Sequence, residues 1–268
     1  MLTDLLASLA FSRTKGKPRL VFLHLPRTGG TALAKDILFP NFPRSYWCHV
    51  NYRQDLEPVG GAHDPLRWTE SRRGRVRLLA GHMPVDFAQY FPGPSEYVTL
   101  LRDPIARTIS DYYFCRRNRT NPAHEAARKY SLIEFVERGH GLTHNCYARW
   151  LSNAIYGAVY RTDDEMLEAA RKNLTTFAFV GITELFDASV RRICEKCGLT
   201  QYPLSSRNRN DATPRGKDVS VAARRVIYRH NELDRAIYEE FRKRFCDEEV
   251  QRRPARAETD TLERPAHT

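Results

Sequence analysis

The first group of residues able to do chemistry is Pro26-Arg27-Thr28-Gly29-Gly30-Thr31, which follows an apolar run from Leu20 to Leu25. An apolar run with β-branched and aromatic members, bounded by Pro18 and Pro26, reads as a strand, and Ala32 to Leu38 suits a helix. Between them, Gly29 and Gly30 allow positive φ and close backbone approach. Successive N–H groups can then point at one anion, assisted by the helix start behind them. Arg27 adds charge and Thr28 a hydroxyl. The chain has no Gly-x-x-x-x-Gly-Lys-Ser/Thr, and Lys35 lies too far into the helix to replace that lysine, so a kinase or NTPase loses ground. An ordinary strand-to-helix turn has the same composition, so this loop alone does not decide the matter.

A second junction of the same kind runs from Glu96 to Arg117. Tyr97 to Leu101 reads as a strand, Asp103 as an N-cap and Pro104 as the first helical residue, where its missing N–H costs nothing. Arg102 is thereby set at the strand's carboxyl end and Ser110 about two turns into the helix. A guanidinium and a hydroxyl so placed can hold a second phosphate. The competing reading makes Arg102 a surface partner of Asp103 and Ser110 a solvated serine.

Together the two junctions resemble the carbohydrate sulfotransferase family that includes heparan sulfate 2-O- and 6-O-sulfotransferases. Pro26 to Thr31 looks like that family's loop for the 5′-phosphosulfate of 3′-phosphoadenosine 5′-phosphosulfate (PAPS). Leu101-Arg102-Asp103-Pro104, with Arg107, Ser110 and Tyr112-Tyr113-Phe114, looks like its 3′-phosphate motif. Further matches follow at Asn145 to Ser152, Phe179 to Glu184 and Asn231 to Asp234, so the resemblance spans roughly residues 19 to 246. It implies a PAPS-dependent transfer of a sulfuryl group to a hydroxyl of a saccharide or glycoconjugate. PAPS is the co-substrate and no metal is required. Arg27, Thr28, Gly29, Gly30 and Thr31 would cradle the phosphosulfate, and Arg102 and Ser110 the 3′-phosphate. One departure is Arg27, where the family usually has lysine. Arginine keeps its proton near neutral pH, so Arg27 is expected to stabilise charge on the departing phosphate rather than act as an acid.

In-line transfer also needs a base for the acceptor hydroxyl, and histidine suits that task. Of nine histidines, His82 follows the apolar segment Val76 to Gly81 and so stands at the mouth of a third strand, where parallel sheets collect functional side chains. It also matches the family's Gly-His position, to which the catalytic base is assigned. His24 lies inside the first strand and reads as a core or supporting residue. His49, His63, His140 and His144 lie near turns, and Asp86 or Glu70 are acidic alternatives. Thr213 and Arg215, in the polar loop Arg207 to Asp218, resemble the family's late loop over the nucleotide. Asn145 and Arg149 are candidates for substrate contact, with a structural role equally open.

The 268 residues carry 43 Lys and Arg against 32 Asp and Glu, a formal charge of +11 that favours polyanionic partners such as acidic glycans, PAPS or nucleic acid. No run approaches the ~20 apolar residues of a membrane span. Met1 to Phe11 is short and has an early acidic residue, unlike a signal peptide. The expectation is a cytoplasmic, bacterial-type soluble enzyme with reduced thiols. Cys194-x-x-Cys197 has no second pair at zinc spacing.

Strands are expected at 19 to 25, 76 to 80, 97 to 101 and 177 to 181, separated by helices. That alternation suggests an α/β fold, a parallel sheet flanked by helices on both faces, and the resemblance implies its P-loop-like form. Residues 41 to 74 read as a long loop, 219 to 245 as one long helix, and 1–248 as a single domain followed by a disordered 249–268 tail. Two other classes stay open. One is a nucleotide- or glycan-binding module without catalysis. The other, less favoured, is a nucleic-acid-binding protein, prompted by aromatics beside arginines from Tyr112 to Arg119. If the late loop serves the nucleotide, Arg215→Ala will weaken binding of the desulfated nucleotide by about tenfold in calorimetric titration. Unchanged affinity would remove Arg215 from the site.

Overall fold

A computed structural model describes residues 14, 16–51, 64–204 and 219–262, with side chains as far as 252. Five parallel strands form one sheet: β1 (Arg19–Leu23), β2 (Trp47–Asn51), β3 (Leu78–His82), β4 (Ser95–Leu101) and β5 (Phe179–Ile182), in the order β2-β3-β1-β4-β5. Every residue of β1 is buried. A strand shielded on both faces needs apolar residues at consecutive positions, which is why Leu20 to Leu23 read as a run and not as an alternation. β1 pairs with β3 on one side and β4 on the other. The chain moves from β1 outward to β2, returns through β3 and crosses to β4. The carboxyl end of β1 is therefore the switch point where open α/β sheets form their crevice.

The four expected strands are all present. β2 is a fifth, inside the stretch read as a loop. Its five residues alternate in burial, with Cys48 and Val50 inward and His49 exposed, and only β3 pairs with it. A short edge strand among prolines and arginines carries too weak a pattern to separate from loop.

The helices are α1 (Gly30–Ala32, continuing as a π-helix over Leu33–Leu38), α2 (Glu70–Arg75), α3 (Pro104–Arg117), α4 (His124–Lys129), α5 (Leu132–Glu137), α6 (Cys146–Leu151), α7 (Asp163–Thr176), α8 (Phe186–Cys197), α9 (Val221–Arg229) and α10 (Glu232–Leu262). Asp103 caps α3 by accepting from the Ala106 amide at 2.8 Å, with Pro104 at its first turn. The single helix expected from 219 to 245 is two. Asn231 divides them, donating its side-chain amide to the carbonyls of Thr143 (2.7 Å) and Ile227 (2.9 Å). α10 also continues past 248, where Glu248 and Glu249 pair with Arg192 and Arg191 of α8.

Helices α3, α6 and α10 meet around buried charge. Arg107 is fully buried and donates to Leu142 O at 2.7 Å and Thr108 Oγ1 at 2.9 Å. Asp234, also fully buried, accepts from the Ala148 amide at 3.0 Å, and the backbone amides of Tyr147 and Cys146 face it closely enough to favour its charged form. It thus caps the first turn of α6. Burial raises its pKa, and Arg107 with these amides opposes the rise. Asp234→Ala would orphan the Ala148 amide and remove the charge that offsets Arg107. The expected loss is about 3 kcal/mol of unfolding free energy, read as a lower denaturant midpoint at unchanged slope. A change within experimental error would show that α6 does not depend on this carboxylate.

Candidate functional site

The loop after β1 is built by three separate constraints. Arg27 takes the left-handed region with φ of 67°. Gly29 follows at φ of 85°, as positive φ at that turn requires. Gly30 is needed for proximity instead: a Cβ there would stand 2.2 Å from His24 Cδ2, because the His24 ring lies over the loop. The first helical amides follow directly, with Ala32 N donating to Gly29 O at 3.1 Å. The amides from Thr28 to Thr31 stand at the helix start, where N–H groups lack intrahelical acceptors, a backbone arrangement able to hold an anion such as the phosphosulfate end of PAPS. The Thr28 side chain has a different task from the one its type suggested. It is fully buried and donates to Leu25 O at 2.8 Å, so Thr28 offers an anion its amide and not its hydroxyl. Thr31 is exposed at the start of the helix.

The second junction closes onto the first. Arg102 Nη1 donates to Arg27 O at 3.1 Å, and Arg27 donates from both Nε and Nη2 to Ser110 Oγ at 3.2 Å. The Arg27 guanidinium also lies 4.4 Å from the centre of the Phe114 ring. Ser110 is buried against these groups and is no solvated serine, and Arg102 turns to the loop and not to Asp103. Burial lowers the Arg27 pKa, and the charges of Arg102 and Arg117 lower it further against Asp111. A cluster of cations and a hydroxyl that resists further positive charge fits an anionic ligand such as the 3′-phosphate.

Residues with no recognisable ligand signature in the sequence hold this frame. The Thr183 hydroxyl sits 2.6 Å from Thr28 O and 2.9 Å from Leu101 O, linking loop and β4. Tyr147 is fully buried and donates to Arg102 O (2.8 Å) while accepting from Arg102 N (3.0 Å). Glu184 accepts from Asp103 N and from the Tyr238 hydroxyl, both at 3.0 Å. Thr183, Glu184 and Tyr147 stand inside quoted motifs, but no pattern in one sequence separates a brace from a ligand contact. Asn145 is a brace too: its side chain accepts from the Leu233 amide at 3.1 Å, capping α10. Arg149, on the same short helix, is half-buried and, after burial and His230, contributes to lowering the pKa of His144. Thr213 and Arg215 lie outside the described residues.

On the other side of β1, His82 ends β3. Gly81 before it has a φ of 142°, and a Cβ there would stand 1.8 Å from Val50 O. His82 Nδ1 lies 2.5 Å from His24 O. A carbonyl only accepts, so Nδ1 carries the hydrogen and the neutral ring keeps its Nε2 lone pair as a base. The ring stacks on His24 at 4.5 Å and meets Trp150 at 5.6 Å. Trp150 is fixed in turn by its indole N–H donating to Met83 O at 3.1 Å. Burial holds the His82 pKa down at about 4, although the His24 carbonyl favours the charged form. His24 is half-buried, and its pKa is well below the ordinary value through burial and then the charge of His82. It stands just past the end of β1, not inside the strand as expected, and supports His82 by its carbonyl and ring. Among the described residues, no helix is long and apolar enough to cross a membrane, and no group of three His, Cys, Asp or Glu is arranged to hold a metal.

The chain is similar to known proteins at low identity. The chain is 25% identical to heparan-sulfate 6-O-sulfotransferase 1 of Cricetulus griseus over 283 aligned residues, covering 88% of this chain and 69% of that protein. It is 24% identical to the Homo sapiens protein of the same name, covering 88% and 67%. Among solved structures, mouse sulfotransferase SULT7A1 complexed with PAP aligns with a TM-score of 0.45 at 13% identity, over 87% of this chain and 93% of that one. No protein-family model matches the chain.

The depressed His82 pKa links the site to stability. An unfolded histidine, near its ordinary 6.5, takes up a proton before the folded one at about 4. The contribution is therefore present above about pH 6.5 and is lost as pH falls toward 4. Denaturant midpoints measured from pH 7 to pH 4 will fall across this window, and less steeply in His82→Gln. Equal slopes in the two proteins would contradict a buried neutral His82.

Proposed function

We infer that this chain, a member of the carbohydrate sulfotransferase family, moves a sulfuryl group from PAPS to a hydroxyl of a saccharide. The observation that carries the reading is the convergence, around the end of β1, of an amide cradle, an Arg102–Arg27–Ser110 cluster and a histidine with its tautomer set. Two anion sites joined by one loop suit a nucleotide phosphorylated at both 3′ and 5′ positions. The similarity to heparan-sulfate 6-O-sulfotransferases along 88% of the chain supports a saccharide acceptor. The formal charge of +11 favours one that is acidic.

In this scheme the amides from Thr28 to Thr31 hold the 5′-phosphosulfate, and Arg102 and Ser110 hold the 3′-phosphate. His82 Nε2 takes the acceptor proton as the acceptor oxygen attacks sulfur. The bond from sulfur to the bridging oxygen breaks, and its electron pair stays on the 5′-phosphate. The cradle's N–H groups stabilise the charge that develops there. A base with a pKa of about 4 is weak, but the nearby negative charge of the donor favours imidazolium and raises its basicity when the proton must move.

A binding module lacking catalysis is the alternative, and His82 separates the two. His82→Ala will lower turnover with PAPS and a saccharide acceptor by about 10²–10⁴-fold while leaving the dissociation constant for 3′-phosphoadenosine 5′-phosphate (PAP) within about twofold. Arg102→Ala will weaken PAP binding. No transfer by the wild-type protein to any acidic or neutral glycan, despite tight PAP binding, would favour the module. Near-normal turnover of the His82 variant would place the base elsewhere.

A further inference from the structure

The place of Arg27 in the sheet separates it from the reacting centre. The loop that carries it stands at the end of β1, between β3 and β4. His82 ends β3, on one side of the loop. The Arg27 guanidinium turns to the other side, onto α3, which follows β4. There it donates twice to Ser110 Oγ at 3.2 Å and lies 4.4 Å from the Phe114 ring centre. Ser110 and Phe114 are four residues apart, so they form one stripe of the helix. Two donors on one serine oxygen leave the hydroxyl hydrogen as a donor toward an anion. The backbone carries the side chain there through a left-handed φ of 67°, a conformation that holds a non-glycine residue only when its surroundings fix it. Here they do: Arg102 Nη1 holds its carbonyl at 3.1 Å and Ser110 holds its head.

We propose that Arg27 is a specificity residue for the 3′-phosphate, sharing that group with Arg102 and Ser110, and not a stabiliser of the departing 5′-phosphate. The assignment rests on the PAPS reading above and gives Arg27 a role different from the one its place in the loop suggested. Its planar fork is suited to two phosphate oxygens at once, which a lysine ammonium cannot match in geometry. Arg27 holds Ser110 while Arg102 holds the Arg27 carbonyl, and after burial the charge of Arg102 lowers the Arg27 pKa, so a phosphate dianion shared by the two guanidinium groups would turn their repulsion into attraction. The leaving 5′-phosphate is then served by the loop amides, and Arg27 contributes to transfer by binding the nucleotide in register.

Calorimetric titration of wild type, Arg27→Ala, Arg27→Gln and Arg27→Lys with PAP and with adenosine 5′-phosphate tests this. Wild type should prefer PAP. Arg27→Ala and Arg27→Gln should lose about 10–100-fold in PAP affinity while adenosine 5′-phosphate changes less than about twofold, and Arg27→Lys should fall between. Equal weakening of both nucleotides would assign Arg27 to the 5′ side or to loop integrity and overturn the proposal while leaving the PAPS reading intact. Unchanged PAP binding in all three variants would overturn it as well. A wild-type protein that does not distinguish the two nucleotides would instead remove the PAPS reading, and this assignment with it. Should Arg27→Ala fail to fold, Arg27→Lys and Arg27→Gln still give the ratio.

Discussion

The site depends on two neighbouring peptide carbonyls, those of Arg27 and Thr28, being held against the end of β4. Arg102 reaches the first and Thr183 the second, and Thr183 also reaches Leu101 O. These bonds set the distance between the anion cradle after β1 and the helix that bears Ser110. Parallel neighbouring strands already lie about 5 Å apart, so the two loops need only a few hydrogen bonds to fix their mutual orientation. Tyr147 then fixes the backbone of Arg102 itself through both its N–H and its carbonyl. Each member of the chain of contacts is buried or half-buried, where a hydrogen bond is costly to leave unmade.

On the β3 side the same economy of parts fixes the tautomer of His82, the proposed base. The carbonyl of His24, at the end of β1, determines which nitrogen of His82 holds the hydrogen. The His24 ring covers both Gly30 and His82, so the cradle and the base share one wall. Desolvation keeps His82 neutral, and an approaching polyanion is the kind of neighbour that reverses that preference. In the proposed scheme, proton affinity at Nε2 would be coupled to donor binding by electrostatics.

Much of this was legible in the sequence because the two strand-to-helix junctions are local. A buried parallel strand must be an apolar run, and a glycine pair, an Asp-Pro start and a Gly-His end each record a backbone requirement at their own position. β2 escaped because an edge strand of five residues has too short an alternation. The division at Asn231 escaped because its cause lies in Thr143 O, 88 residues away. Thr28 was assigned a ligand hydroxyl from its type, and only the carbonyl of Leu25 reveals that the hydroxyl faces inward. Long-range acceptors of this kind leave no periodicity.

The downstream motifs illustrate a further separation between resemblance and role. Asn145, Asn231 and Asp234 lie in stretches that match the family, yet their side chains cap helices and bridge α6, α9 and α10. They act on the site through Tyr147, whose helix they anchor and whose hydroxyl holds Arg102. Motif residues distant from Arg102 are thus tied to it by a chain of hydrogen bonds. The loss of such a brace would loosen the position of Arg102 together with the fold, whereas loss of Arg102 itself would remove the charge and leave the brace in place.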